Sequence, residues 1–119
     1  MPIERRTSAD LTRSYLAARR HRERLFGTSL FTDPAWDMLL DLYASEMEGR
    51  RICITSACLA SQVPNTTALG WLYKLERREL ITRHADAGDK RRVFVNLTPN
   101  AFRAVEEWVT TNLAPHLKS

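Results

Sequence analysis

The chain has 119 residues, 44% hydrophobic and 27% charged, with a formal charge of +4. That is the length of one domain and an ordinary globular balance, which excludes a disordered chain. No apolar run approaches the roughly 18–20 residues of a membrane span, and no signal-like segment precedes the first basic residues, so the expectation is a cytoplasmic protein without a membrane partner. Cys53 and Cys58 are too few for a disulfide framework, and free thiols in a reducing compartment are expected.

Charge is segregated along the chain. Residues 1–27 carry seven Arg against three acids; residues 28–49 carry five acids and no Lys or Arg; residues 50–98 carry nine basic and four acidic residues. Fifteen of the eighteen basic residues are Arg, the side chain suited to planar, bidentate contact with phosphate or guanine. Genomic base composition can also raise Arg, but it does not segregate charge. The pattern predicts two basic surfaces separated by an acidic helix.

A first helix is predicted from Ser8 as N-cap, with Leu11, Tyr15, Ala18, Arg22 and Leu25–Phe26 recurring at helical spacing and Gly27 as the stop. Its arginines cover several faces, which favours packing between subunits with scattered solvated charges. A second helix opens with Asp33 as cap and Pro34 at the first helical position. Trp36, Leu39, Leu40, Tyr43 and Met47 line one of its faces, and Asp33, Asp37 and Asp41 form an exposed acidic one. A brief strand is expected over 50–54.

Thr55 or Ser56 would cap a short helix that Pro64 ends. A further helix over 65–78 has Ala68, Leu72 and Leu75 on one face, with Leu69 beside them. Two short helices joined by about three residues read as a helix-turn-helix. Leu80–Arg83 reads as a strand, Asp86-Ala87-Gly88-Asp89 as a turn, and Arg91–Leu97 as a strand with Val93, Val95 and Leu97 on one face. Thr98 caps a last helix that starts at Pro99, carries Phe102, Val105, Trp108 and Val109, and stops before Pro115. The fold class is mainly α with a small β-hairpin, in the order α-α-β-α-α-β-β-α: a winged helix forming a single domain over 1–119.

The stretch Asp89-Lys90-Arg91-Arg92-Val93-Phe94-Val95-Asn96-Leu97-Thr98 resembles the wing signature of the MarR family of bacterial regulators, and Leu75-Glu76-Arg77-Arg78-Glu79-Leu80-Ile81-Thr82-Arg83 resembles that family's end of the recognition helix. The resemblance covers roughly residues 33–108. It implies a homodimer, paired through the flanking helices at about 8–26 and 98–113, that regulates transcription by binding double-stranded DNA in a bacterial nucleoid. It also implies a recognition helix at 65–78 in the major groove and a wing at 86–92 on the minor groove or phosphates. Arg91 becomes the wing arginine and Asp89 the carboxylate that orients it or braces the wing. Members often form a pocket for a small-molecule effector. The family usually has Gly where this chain has Glu79; a left-handed turn there would strain Glu, so the helix end is expected to differ.

Within that frame Asn65, Thr66 and Thr67 are candidates for base contact through the N-terminal half of the helix, or simply caps. Gly70 either admits DNA to the backbone or relieves packing against the preceding helix. Trp71 reads as a partly buried platform, and Lys74 and Arg77 as phosphate contacts. Thr55 and Ser56 read as phosphate contacts, caps or both. Lys90, Arg91 and Arg92 suit an exposed tip that touches nucleic acid; a solvated turn is the alternative. No His, Cys and carboxylate set has metal-ligand spacing, no Gly-rich phosphate loop or nucleophile elbow is present, and neither cofactor nor enzyme activity is expected. Cys53 and Cys58 read as buried, inert thiols. A protein-interaction module and a ligand- or thiol-responsive regulator are the rival readings.

Overall fold

In the computed structural model, residues 4–27 and 30–117 are described. The elements are α1 (Arg5–Phe26), α2 (Pro34–Met47), β1 (Ile52–Cys53), α3 (Ile54–Ala60), α4 (Asn65–Arg77), β2 (Ile81–Ala85), β3 (Val93–Leu97) and α5 (Pro99–Asn112), followed by a 3-10 turn (Ala114–Leu117). The sheet is antiparallel in the order β1-β3-β2. β2 and β3 pair from Ile81 opposite Leu97 to Ala85 opposite Val93, and β1 adds to the other edge with Ile52 opposite Val95. This is a winged helix with the wing braced by a third, two-residue strand.

The most deeply buried helix is α2, whose Asp37, Met38, Leu40, Leu42, Tyr43, Ala44, Ser45 and Met47 are all buried. It lies between α1 on one side and α3, α4, β3 and α5 on the others. The predicted single apolar face is therefore too narrow, because a helix covered all round buries residues all round. Asp33 precedes the helix but makes no side-chain cap, and Gly49 ends it in the left-handed conformation at φ 74°. The core continues through Ala68, Leu72 and Leu75 of α4, Ile81, Val95 and Leu97 of the sheet, and Ala101, Val105 and Val109 of α5. Thr98 caps α5 as expected, its hydroxyl accepting the Ala101 N–H at 3.2 Å, and Phe102 packs on Tyr43 with ring centroids 5.1 Å apart. The helix stops before Pro115, at Asn112 as expected, and a separate 3-10 turn carries the chain through that proline.

Three expectations about α1 and α2 are corrected. First, α1 begins a turn earlier than predicted, at Arg5, and Ser8 is not a cap but a buried residue hydrogen-bonded to the Tyr43 hydroxyl. Second, the buried stripe of α1 is Ser8, Ala9, Thr12, Leu16 and Glu23, whereas Leu25 and Phe26 are exposed. The inward face is largely polar because it meets the polar side of α2. Third, Asp37 is not on an exposed acidic face. It is fully buried and accepts from Arg19 Nε at 2.8 Å and Arg20 Nη1 at 3.0 Å. Arg13 reaches Asp41 at 2.5 Å and Glu48 at 2.9 Å, and this contact holds the Glu48 carboxyl below its usual range.

The acidic segment therefore does not simply separate two basic surfaces: its Asp37, Asp41 and Glu48 pair with Arg13, Arg19 and Arg20 of α1. Among the described residues, neither Glu23 carboxylate oxygen, nor Arg19 Nη2, finds a hydrogen-bond partner, although all three are buried. Groups of this kind cost about 1–3 kcal/mol each.

The brief strand is shorter than predicted, because Ile54 already belongs to α3 and Cys53 takes the N-cap position. Thr55 and Ser56 accordingly lie in the first turn rather than at the cap. At the other end of the helix pair, Glu79 adopts φ 58°. The expected deviation of the helix end does not occur: Leu80 N–H donates to Leu75 O at 3.0 Å, and the left-handed turn is kept with a strained Glu in it. A left-handed L-residue costs roughly 1–2 kcal/mol. Glu79→Gly is thus expected to stabilise the fold by about 1 kcal/mol, read as a higher urea midpoint at unchanged slope. A lower midpoint would mean that the Glu side chain compensates the strain.

Candidate nucleic-acid interface

Three residues of α4, Ala68, Leu72 and Leu75, anchor the helix to the core. At 3.6 residues per turn the opposite face carries Thr66, Gly70, Tyr73 and Arg77, spaced i, i+4, i+7 and i+11, and all four are exposed. Asn65, Thr67 and Lys74 flank that line and are exposed as well. Pro64 occupies the N-cap position and offers no side-chain acceptor, so α4 has no side-chain cap; the first helical hydrogen bond runs from Ala68 N–H to Pro64 O at 2.9 Å. Asn65, Thr66 and Thr67 are therefore not caps, and no side chain caps the N–H groups of this first turn.

Gly70 has open space where a side chain would stand: a Cβ there meets no heavy atom within 4 Å. Relief of packing against α3 is thereby excluded. Gly70→Ala is expected to stabilise α4 by about 1 kcal/mol, the helix-propensity difference. If DNA approaches the backbone here, the same substitution weakens duplex binding, so a more stable variant with reduced affinity is the expected pair of results. A stability gain with unchanged affinity would remove Gly70 from the interface.

Trp71 turns the other way. It is half-buried, with the Lys74 ammonium over its ring at 4.4 Å, and it lines a groove of about 910 Å³ with Trp36, Leu39, Leu75 and Leu80, rimmed by Lys74, Arg77 and Arg78. The structure thus places Trp71 beside α2 rather than on the outer line of α4.

The wing is held by its own backbone. Asp86 Oδ1 accepts from Gly88 N–H at 2.9 Å, and Asp86 N–H donates to Arg92 O at 2.9 Å. Asp89 Oδ1 accepts from Arg91 N–H at 3.0 Å and from Arg91 Nε at 3.2 Å. These contacts hold the Asp89 carboxyl below its usual range. The Arg91 side chain is still 92% exposed. Lys90 and Arg92 are exposed beside it.

The strict inside-outside alternation of the last strand does not hold. Phe94 is buried on the face opposite to Val93, Val95 and Leu97, with the Arg51 guanidinium over its ring at 3.7 Å and that of Arg92 at 5.9 Å. Arginine stems cover what would otherwise be an exposed aromatic.

Two residues of this surface escape the sequence reading. Tyr73 is 40% exposed on the outer line of α4. Arg83, on β2, stacks its guanidinium over Tyr73 at 5.3 Å and donates from Nε to Glu76 at 2.8 Å. The helical spacing from Thr66 and Gly70 would have singled out Tyr73; nothing local marks Arg83.

Of the two thiols, Cys58 is buried as expected and Cys53 is not. Burial pushes the Cys58 thiol up. Cys53 is only half-buried; hydrogen bonds from the backbone and hydroxyl of Ser56 push its thiol down. A disulfide-exchange reagent added to the native protein is expected to modify one thiol rapidly, and Cys53→Ser to abolish that phase. Two fast thiols, or none, would contradict this environment.

No protein-family model matches the chain, and no characterised protein matches it by sequence. Solved structures do match. S. aureus MepR in its DNA-binding conformation superposes with a TM-score of 0.60 at 24% identity, over 85% of this chain and 74% of that one. The S. aureus MepR–DNA complex gives 0.59 at 25% identity, over 89% and 82%. Bordetella bronchiseptica BpsR, whose DNA binding is regulated by 6-hydroxynicotinic acid, gives 0.53 at 23% identity, over 87% and 70%. The chain has the winged-helix fold of these MarR-like proteins. No helix among the described residues is long and apolar enough to cross a membrane.

Proposed function

We propose that this MarR-like chain is a sequence-specific transcriptional regulator that binds double-stranded DNA. One observation carries the reading: an α4 face of Thr66, Gly70, Tyr73 and Arg77, open along its length, stands beside a wing whose Arg91 is oriented by Asp89 and exposed. In this reading α4 enters the major groove and reads bases through Asn65, Thr66 and Thr67. Lys74 and Arg77 contact phosphates, as do Thr55 and Ser56 at the exposed start of α3. The wing at 86–92 reaches the minor groove or the adjacent phosphates with Lys90, Arg91 and Arg92.

Two copies would pair through α1 and α5. Leu11, Tyr15, Trp108 and Leu113 line an apolar hollow between these helices, with the Trp108 ring tilted against Tyr15 at 5.3 Å and edge-to-face with Trp36 at 4.7 Å. A homodimer sets two recognition helices about 34–36 Å apart, on successive half-sites. The groove between α2 and α4 is where an effector would bind, having an apolar floor and a cationic rim.

The test is fluorescence anisotropy on a duplex selected from a random pool and on its scrambled counterpart, across about 50–200 mM salt. Tighter binding to the selected duplex with a steep salt slope supports the reading. Weak, equal binding to both would make the protein architectural. No binding to either would leave a protein-interaction module. Light scattering on the same samples gives the number of chains.

A further inference from the structure

We infer that Arg83 is a pre-ordered phosphate clamp at the groove rim, a contact separate from the wing and from the outer line of α4; this rests on the DNA-binding reading above. Arg83 belongs to the middle of β2, opposite Val95 of β3, on the exposed stretch of that strand. Its guanidinium is held from two sides by α4: Nε donates to Glu76 Oε2 at 2.8 Å, and Cζ lies over the Tyr73 ring, 5.3 Å from its centroid.

No hydrogen bond occupies Nη1 or Nη2 among the described residues, and the side chain is 38% exposed. The result is a guanidinium whose orientation is set before any ligand arrives and whose two outer nitrogens remain open. Two parallel N–H donors in one plane match two oxygens of one phosphate. Ordering a long side chain on binding normally costs conformational entropy; here Tyr73 and Glu76 have already restricted it. The exposed Arg91 has a partner only within its own turn.

Position decides between phosphate and base. Bases are read chiefly from the N-terminal residues of a recognition helix. Arg83 is held against Tyr73 and Glu76, in the C-terminal half of α4 and next to the strand leading to the wing. At that distance from the reading end, between a groove-bound helix and a wing, the nearest acceptors are backbone phosphates. Glu76 also occupies the Nε edge, so the remaining donors serve a single bidentate acceptor.

The experiment measures binding of full-length protein to the selected and scrambled duplexes as a function of salt, for wild type, Arg83→Ala, Arg83→Lys and Arg103→Ala. Arg103 is an exposed residue of α5 paired with Asn100, and its removal changes net charge equally. Arg83→Ala is expected to weaken both duplexes by about tenfold and to lower the log–log salt slope by about 1, with Arg103→Ala unchanged. Arg83→Lys is expected to recover the slope but only part of the affinity, since it restores the charge and not the fork. Ethylation interference supplies a readout independent of fold stability: one phosphate whose ethylation blocks wild type should become indifferent for Arg83→Ala.

An unchanged slope for Arg83→Ala, or a loss confined to the selected duplex, would overturn the clamp while leaving DNA binding intact. A wild type that binds neither duplex would overturn the underlying reading instead.

Discussion

Asp37→Ala is expected to cost about 3–5 kcal/mol of folding stability, the range for breaking a buried ion pair by removing one partner. Asp37 has no exposed surface and accepts from two guanidinium groups, Arg19 and Arg20, whose side chains are only 10% and 19% exposed. Deleting the carboxylate strands both cations beneath α2. It also frees Arg20, which donates from Nη2 to Ala60 O at the end of α3 and so ties the α1–α2 hairpin to the first helix of the helix-turn-helix.

A domain of this size has a total stability of about 5–15 kcal/mol, so this loss is a large share of it. Urea unfolding followed by circular dichroism measures it. Asp41→Ala is the control: Arg13 keeps Glu48 when Asp41 is lost, and the loss should be clearly smaller. A loss for Asp37→Ala no larger than the control's would show that α1 holds through its packing and not through this triad.

The same triad shows where the sequence stopped being legible. The helix-turn-helix and the wing are marked by local signals: Pro64 between two short helices, the Ala68–Leu72–Leu75 stripe, the Asp86–Gly88 turn and the Thr98–Pro99 helix start. Each acts within a few residues of itself and survives into the fold. The inward face of α1 carries no such signal, because Ser8 looks like a surface residue until α2 supplies Tyr43 thirty-five positions away, and Arg19 until α2 supplies Asp37 eighteen positions away. An apolar-periodicity reading therefore selected Leu25 and Phe26, which are exposed.

The interface divides in the same way. Asp89 and Arg91 are two residues apart and could be paired by inspection. Arg83 reaches Glu76 and Tyr73 across the left-handed turn at Glu79, a geometry that no spacing rule encodes. Gly70 was undecided in the sequence for a related reason: only the space around its backbone separates a packing role from an open one.

Arg91→Ala is expected to weaken binding to the selected duplex by about ten- to a hundredfold, the loss of about 1–3 kcal/mol typical of one specific arginine contact, with no change in the circular dichroism spectrum. The fold is spared because Arg91 contributes nothing to the core: its side chain meets only Asp89 and water-facing space. The hairpin is closed by backbone bonds, Arg92 N–H to Asp89 O and Asp86 N–H to Arg92 O, that survive the substitution. Asp89→Ala tests the orienting contact separately. It leaves the charge of Arg91 in place and removes the acceptor for its N–H and Nε, so affinity should fall less than for Arg91→Ala while the salt slope stays near wild type. If the two variants lost affinity equally, Asp89 would be acting by shaping the turn. If Asp89→Ala bound more tightly, its carboxylate would be repelling the phosphates it lies near, and Arg91 would need no orientation to reach them.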